Sequence, residues 1–287
     1  MDTRQTSVIN RYMTAVLFVG LSVSHSLAQE DIAQRASTEG GQGNASLIDA
    51  EAAKRVNAMS AHLSKQKRFR FAVDIMYDAV EADGQKIQLA RTSNVEVRRP
   101  NGLRAESRGD RGWHKLSTYD GSHFLIHDQA QKVYSRVATP PTFGKFFEFL
   151  FEKYGASPPL ADFLMEDVHA VLMDGAESGG MLGDAVVAGK DCDHIAFSGE
   201  LLDWQVWIQK GDQPWPRKFV VTYKDVAVRP QFMAVIREWQ ADSGISDDRF
   251  VTAAPGDATK VELDRFGDEA GGDDVKEDAQ GNAREEG

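Results

Sequence analysis

Four consecutive residues, Asp191-Cys192-Asp193-His194, set two carboxylates, a thiol and an imidazole side by side, a combination able to bind a metal or supply a nucleophile. The flanking alternation reads as a strand, however, and on a strand successive side chains point to opposite faces. Cys192 and His194 then share one face and Asp193 takes the other. With no second His or Cys cluster elsewhere, two ligands on one strand do not make a zinc site. His123 and His127 are spaced as an HxxxH pair, which on a helix would share an ion. Their surroundings also read as a strand, where four residues span about 13 Å. The chain contains no G-x-S-x-G elbow, P-loop, G-x-G-x-x-G or H-E-x-x-H motif. Nothing here argues for catalysis, a metal or a cofactor, and the chain reads as a non-enzyme.

The elements that carry these residues follow from periodicity. Ser46 reads as an N-cap with Asp49 three residues on, ahead of Leu47, Ile48, Ala52, Val56, Met59 and Leu63 at helical spacing. This predicts a helix over 47–65. From Phe69 the period falls to two: Phe69, Phe71, Val73, Ile75 and Tyr77 alternate with Arg70, Ala72, Asp74, Met76 and Asp78, and beyond Asp83-Gly84 the residues Ile87, Leu89, Val95 and Val97 continue the apolar face. Short strands follow near 103–107, 113–119, 123–127 and 132–137. Helical signals occupy 142–154 and 158–172, the second opening on Pro158-Pro159. Gly179-Gly180 breaks the pattern, and strands return at 185–187, 192–197, 202–209, 218–224 and 232–239. Runs of strands around a helical insertion predict an α+β fold with an antiparallel sheet.

The 287 residues carry a net charge of −11, which argues against nucleic acid as a partner. Arg4 and Arg11, the short apolar run 12–21 and Ser26-Leu27-Ala28 have the form of a cleaved export signal over residues 1–28. The apolar run is half the length of a membrane span. Residues 29–45 read as a linker. Residues 264–287, with nine acidic against three basic residues, read as an acidic disordered tail. Residues 46–263 are left as the folded domain. A lone cysteine, Cys192, leaves that domain to stand on its core. The expected product is a soluble, unanchored periplasmic protein without stable membrane insertion.

Several stretches resemble known families. Arg99-Pro100-Asn101 and Asp120-Gly121, with Asp248, Phe250, Pro255-Gly256 and Val261 as a closing strand, resemble the outer-membrane lipoprotein carriers LolA and LolB. Cys192 to Phe197, Asp203 to Ile208, Pro214-x-Pro216-Arg217-Lys218 and Thr222-Tyr223-Lys224 are similar to a family of predicted periplasmic proteins, domain of unknown function 2092, over about Leu47 to Leu263. The resemblance implies a curved, unclosed half-barrel whose apolar concave face is covered by an N-terminal helix and inserted helices. Acyl chains enter such a barrel when the cover moves, and an arginine at the position of Arg99 ties the cover down. Arg98 is an extra basic residue beside it.

On that reading Phe71, Val73, Ile75, Leu89, Val95, Val97, Trp204 and Val206 line the interior, and Arg99 polarises its mouth. The segment TFGKFFEFLFEKYG covers it, with Phe146, Phe147, Leu150, Phe151 and Tyr154 on one helical arc and Lys145, Glu148 and Glu152 opposite. Its polar face balances Glu against Lys, unlike a membrane-surface helix. Ordinary core packing and a movable lid both remain open for it. The expected function is binding of a lipid, acyl chain or similar apolar ligand. The alternative is an envelope sensor or interaction module that uses the same fold to bind a protein partner.

Overall fold

The computed structural model describes residues 47–263 apart from Ala82, Pro159, Asp242 and Ser243. The export signal, the linker and the acidic tail lie outside the described residues, as do Ser46 and Pro159. Helix α1 (Ala50–Lys65) leads into six strands, β1 (Arg68–Val80), β2 (Lys86–Arg98), β3 (Gly102–Gly109), β4 (His114–Tyr119), β5 (His123–Asp128) and β6 (Val133–Ala138). Helices α2 (Phe143–Tyr154) and α3 (Val168–Met173) are inserted before β7 (Ala176–Val187), β8 (Lys190–Gly199), β9 (Leu202–Gln209), β10 (Pro216–Tyr223), β11 (Gln231–Ala241) and the two-residue β12 (Thr259–Lys260). All twelve strands join one unclosed sheet in the order β12-β6-β5-β4-β3-β2-β1-β11-β10-β9-β8-β7. Every pairing is antiparallel except β12 with β6. The fold is α+β, a half-barrel with its helices on one face.

The alternation in β1 decides which face that is. Phe69, Phe71, Val73 and Ile75 are buried, while Arg70 is exposed on the other side. Trp204, Val206 and Ile208 do the same on β9. Onto this face α1 presents Ala52, Val56, Met59 and Leu63, a stripe at helical spacing. Arg55 fastens the helix from the side, its Nε 3.2 Å from the buried Asp193 carboxylate of β8.

Four expectations need correction. Helix α1 starts at Ala50 because the Asp49 carboxylate, not Ser46, caps it by accepting the Glu51 N–H at 2.9 Å. Leu47, 75% exposed, belongs to an extended stretch that bridges Gly179. The helix expected over 158–172 is two pieces, a 3-10 turn at Ala161–Leu164 and α3, the latter capped by Asp167. Leu160 enters the turn in the left-handed region, at φ 60°. Gly179-Gly180 interrupts nothing: both lie inside β7, where Gly179 passes so close to the Phe197 ring that a Cβ would sit 2.4 Å from it. The segment expected as the closing strand is a 3-10 helix, Asp247–Phe250, and the closing pairing comes later, at β12.

Gly199 is the tightest of these approaches, since a Cβ there would lie 2.2 Å from the backbone oxygen of Gly175. We expect Gly199→Ala to destabilise the fold by about 1–3 kcal/mol, read from urea unfolding. Gly144→Ala, whose Cβ meets open space, serves as the control and should show no loss.

Candidate functional site: the covered concave face

The concave side is one continuous apolar cluster built from the sheet and its cover. Phe71, Val73 and Ile75 of β1, Val95 and Val97 of β2, and Trp204 and Val206 of β9 all belong to it. So do Phe146, Phe147, Leu150 and Tyr154 of α2, with Phe151 half-buried against them. Leu89 does not. It shares a strand face with Val95, but Arg91 lies between them on that face, its guanidinium 5.5 Å from the Tyr77 ring and 5.3 Å from that of Trp113. The apolar floor therefore stops short of Leu89.

Helix α2 is held by aromatic contact. The Phe146 ring stacks on Tyr119 at 4.0 Å and meets Phe124 at 5.3 Å and Phe147 at 5.1 Å. The Tyr119 hydroxyl donates to the Pro140 carbonyl at 2.7 Å, fixing the approach to the helix, and burial pushes this phenol's pKa up. A second group, Trp215 stacked on Trp239 at 4.6 Å and Trp239 against Phe71 at 4.7 Å, fills the space beside α1. Beside Leu172, Leu202 and Trp204 there is a void of about 10 Å³. That is room for about one water. A larger cavity of about 390 Å³ opens on the convex side among Arg70, Asn94, Glu96, Arg104 and Glu238, and is polar.

Arg99 sits at the end of β2 with its guanidinium turned into the cover. It donates to the backbone carbonyls of Phe163 at 3.0 Å and Met165 at 3.1 Å, and also to that of Leu164. Its Cζ lies 5.6 Å from the centre of the Phe69 ring, and its Nε has no partner. Burial pushes its pKa down to about 10, opposed by Glu166, so it stays charged at neutral pH. Arg99 thus meets the segment at the three successive carbonyls where it turns between the 3-10 element and α3.

The residues that first suggested chemistry have structural surroundings. Cys192 is buried with Val187, Trp207 and Val220 on the convex face, where burial pushes its thiol pKa up. His194 stacks on Trp207 at 3.9 Å, its Nε2 3.0 Å from Gln205. His123 and His127 lie on β5. Among the described residues, no three His, Cys, Asp or Glu side chains gather to hold a metal ion, and no helix is long and apolar enough to cross a membrane.

Tyr119, Phe163, Trp215, Phe219 and Trp239 also belong to, or pack against, the concave cluster, and sequence reasoning did not assign them to it. Phe219 follows by alternation from Val221 on β10. Trp215 lies in a loop, where no period marks it.

A protein-family model described as "Predicted periplasmic protein (DUF2092)" matches residues 52–264. No curated protein matches in sequence. Among solved structures, an uncharacterised conserved protein from Thermus thermophilus aligns at 10% identity and TM-score 0.42, over 74% of this chain and 97% of that one. The Mycobacterium tuberculosis lipoprotein LppX aligns at 12% identity and TM-score 0.44, over 70% and 100%. A chain of the Pseudomonas aeruginosa MucA/MucB complex aligns at 13% identity and TM-score 0.39, over 74% and 64%.

Proposed function

The chain belongs to this family of predicted periplasmic proteins, and we propose that it is a soluble, non-catalytic periplasmic protein that binds an acyl chain or similar apolar ligand on its concave face. On this reading residues 1–28 direct export, 29–45 are a linker, 46–263 form the binding domain and 264–287 are an acidic tail. The observation that carries the proposal is the construction of the cover. The residues packed on the sheet come from α1 and the inserted segments, and one of these segments is tied to the sheet by a single side chain gripping three backbone carbonyls.

A side chain that holds backbone rather than a partner side chain can release without stranding a second charge. The energetics also allow exchange. Lifting the five apolar residues of α2 off the sheet would cost on the order of 10 kcal/mol at ~2 kcal/mol each. An acyl chain of roughly 16 carbons would return a similar amount at ~0.8 kcal/mol per CH₂. Phe71, Val73, Ile75, Val95, Val97, Trp204 and Val206 would then line the ligand, with Arg99 at its mouth.

Native mass spectrometry of the full chain, exported and purified gently, is the test. We expect a discrete lipid-sized adduct that solvent extraction removes and incubation with phospholipid vesicles restores. A mass that stays bare after that incubation would sink the proposal and direct attention to a protein partner.

A further inference from the structure

One carboxyl in the cover is placed where an ordinary carboxylate would be costly. Asp162, in the 3-10 turn at Ala161–Leu164, is 8% exposed, and its Oδ1 has no hydrogen-bond partner. The turn packs against β10 through Phe163, whose ring meets Phe219 edge-on at 5.2 Å. From β10 the ionisable neighbour is the Tyr223 phenol, itself pushed up to about 12 by burial, with Asp162 and then Asp225 adding to it. From β2 the neighbour is Arg99, committed to the carbonyls that follow Asp162. Helix α3, packed against the same turn, carries His169 between the flanking Asp167 and Asp174. The backbone N–H of Asp162 itself favours the ionised carboxyl.

We propose that Asp162 is an acid-set latch on the cover: the turn stays seated on the concave face while this carboxyl holds its proton, and loosens when the proton leaves. The inference rests on the reading of this segment as a movable cover and adds its regulation. Seated, the carboxyl is out of water, and burial pushes its pKa up to about 7. Lifted into water, it would return to the ordinary value of 3.8.

The sign follows from proton counting. Below about pH 4 both forms bind the proton, and the balance between them does not change with pH. Between about 4 and 7 the seated form keeps a proton that the lifted form lacks, so each pH unit shifts the balance about tenfold towards lifting. Above about 7 neither form binds it and the shift levels off, having reached about a thousandfold. The proton thus closes the cover, and a rise to neutral pH eases it.

Hydrogen exchange of residues 160–173 in the full chain, corrected for intrinsic rates and followed from pH 4.5 to 8, tests this. In the wild type, protection should fall by at least about a hundredfold across that range and then flatten. In Asp162→Asn, a neutral side chain of the same shape, it should be independent of pH. A wild-type profile without that fall, or the same fall in Asp162→Asn, overturns the latch. Should the variant not fold, the Asp162 carboxyl ¹³C shift in the wild type decides: a midpoint near 7 supports the latch, and one below 5 overturns it. Palmitate binding at pH 5 and 7.5 separates this from the broader reading. Binding that is equally strong at both values overturns the latch alone. No binding at either, with the exchange profile as expected, leaves the latch standing and removes the apolar-ligand function.

Discussion

Replacing Arg99 by methionine will free the segment 160–173 while leaving the sheet intact. Methionine keeps the apolar stem over Phe69 but removes every donor, so the carbonyls of Phe163, Leu164 and Met165 lose their shared partner. Hydrogen bonds from a charged group contribute about 1.5–3 kcal/mol each. Water replaces part of that once the segment lifts, so a net loss of about 3 kcal/mol is the reasonable scale. Hydrogen exchange of 160–173 should then accelerate by about a hundredfold, since 1.4 kcal/mol is a factor of ten. Exchange in β1 and β9 should change far less. Arg99→Lys should recover only a small part, because one ammonium lacks the planar fork that spans successive carbonyls. If the segment exchanges at the wild-type rate in Arg99→Met, the arginine does not hold the cover.

Phe146→Ala should cost about 3–5 kcal/mol of global stability, the usual range for emptying a fully buried phenylalanine site. The side chain is 0% exposed and contacts three other rings, Tyr119, Phe124 and Phe147. Rigid aromatic neighbours on two strands and on its own helix cannot collapse into the gap. For a domain of this size the thermal midpoint should drop by about 6–20 °C. Lys145→Ala, on the exposed face of the same helix, should stay within about 0.5 kcal/mol of the wild type. Comparing the two by calorimetry measures how firmly α2 belongs to the core. A loss below about 1 kcal/mol for Phe146→Ala would mean that α2 is not part of the cooperatively folded unit, and that the aromatic cluster contributes little in solution.

Much of the architecture was legible because it is local. The alternation of Phe69, Phe71, Val73 and Ile75 marks both the strand and its inward face, since a pleated strand has a period of two. The arc of Phe146, Phe147, Leu150 and Tyr154 marks α2 and its buried side in the same way, with a period of 3.6. The helix start shows where local reading slips. Ser46 and Asp49 are both good caps, and the choice between them was made by Gly179, whose backbone pairs with Leu47 and Asp49 from the far end of the sheet.

Residue spacing alone was enough for most of the strands, the inward faces of the central ones and the amphipathic helix, because each rests on relations between near neighbours. The construction of the cover depends instead on contacts made across the fold. Residues 158–172 have a helical pattern, yet the segment folds as a 3-10 turn and α3, with Arg99, 64 residues from Phe163, bound to the carbonyls between them. Leu89 has the right parity for the floor, yet Arg91 and the rings of Tyr77 and Trp113 end the apolar surface before it. Asp162 reads as one surface carboxylate among 44 acidic residues until the fold removes it from water. Periodicity follows from chain geometry, whereas burial and long-range hydrogen bonds depend on which distant segments the folded chain brings together.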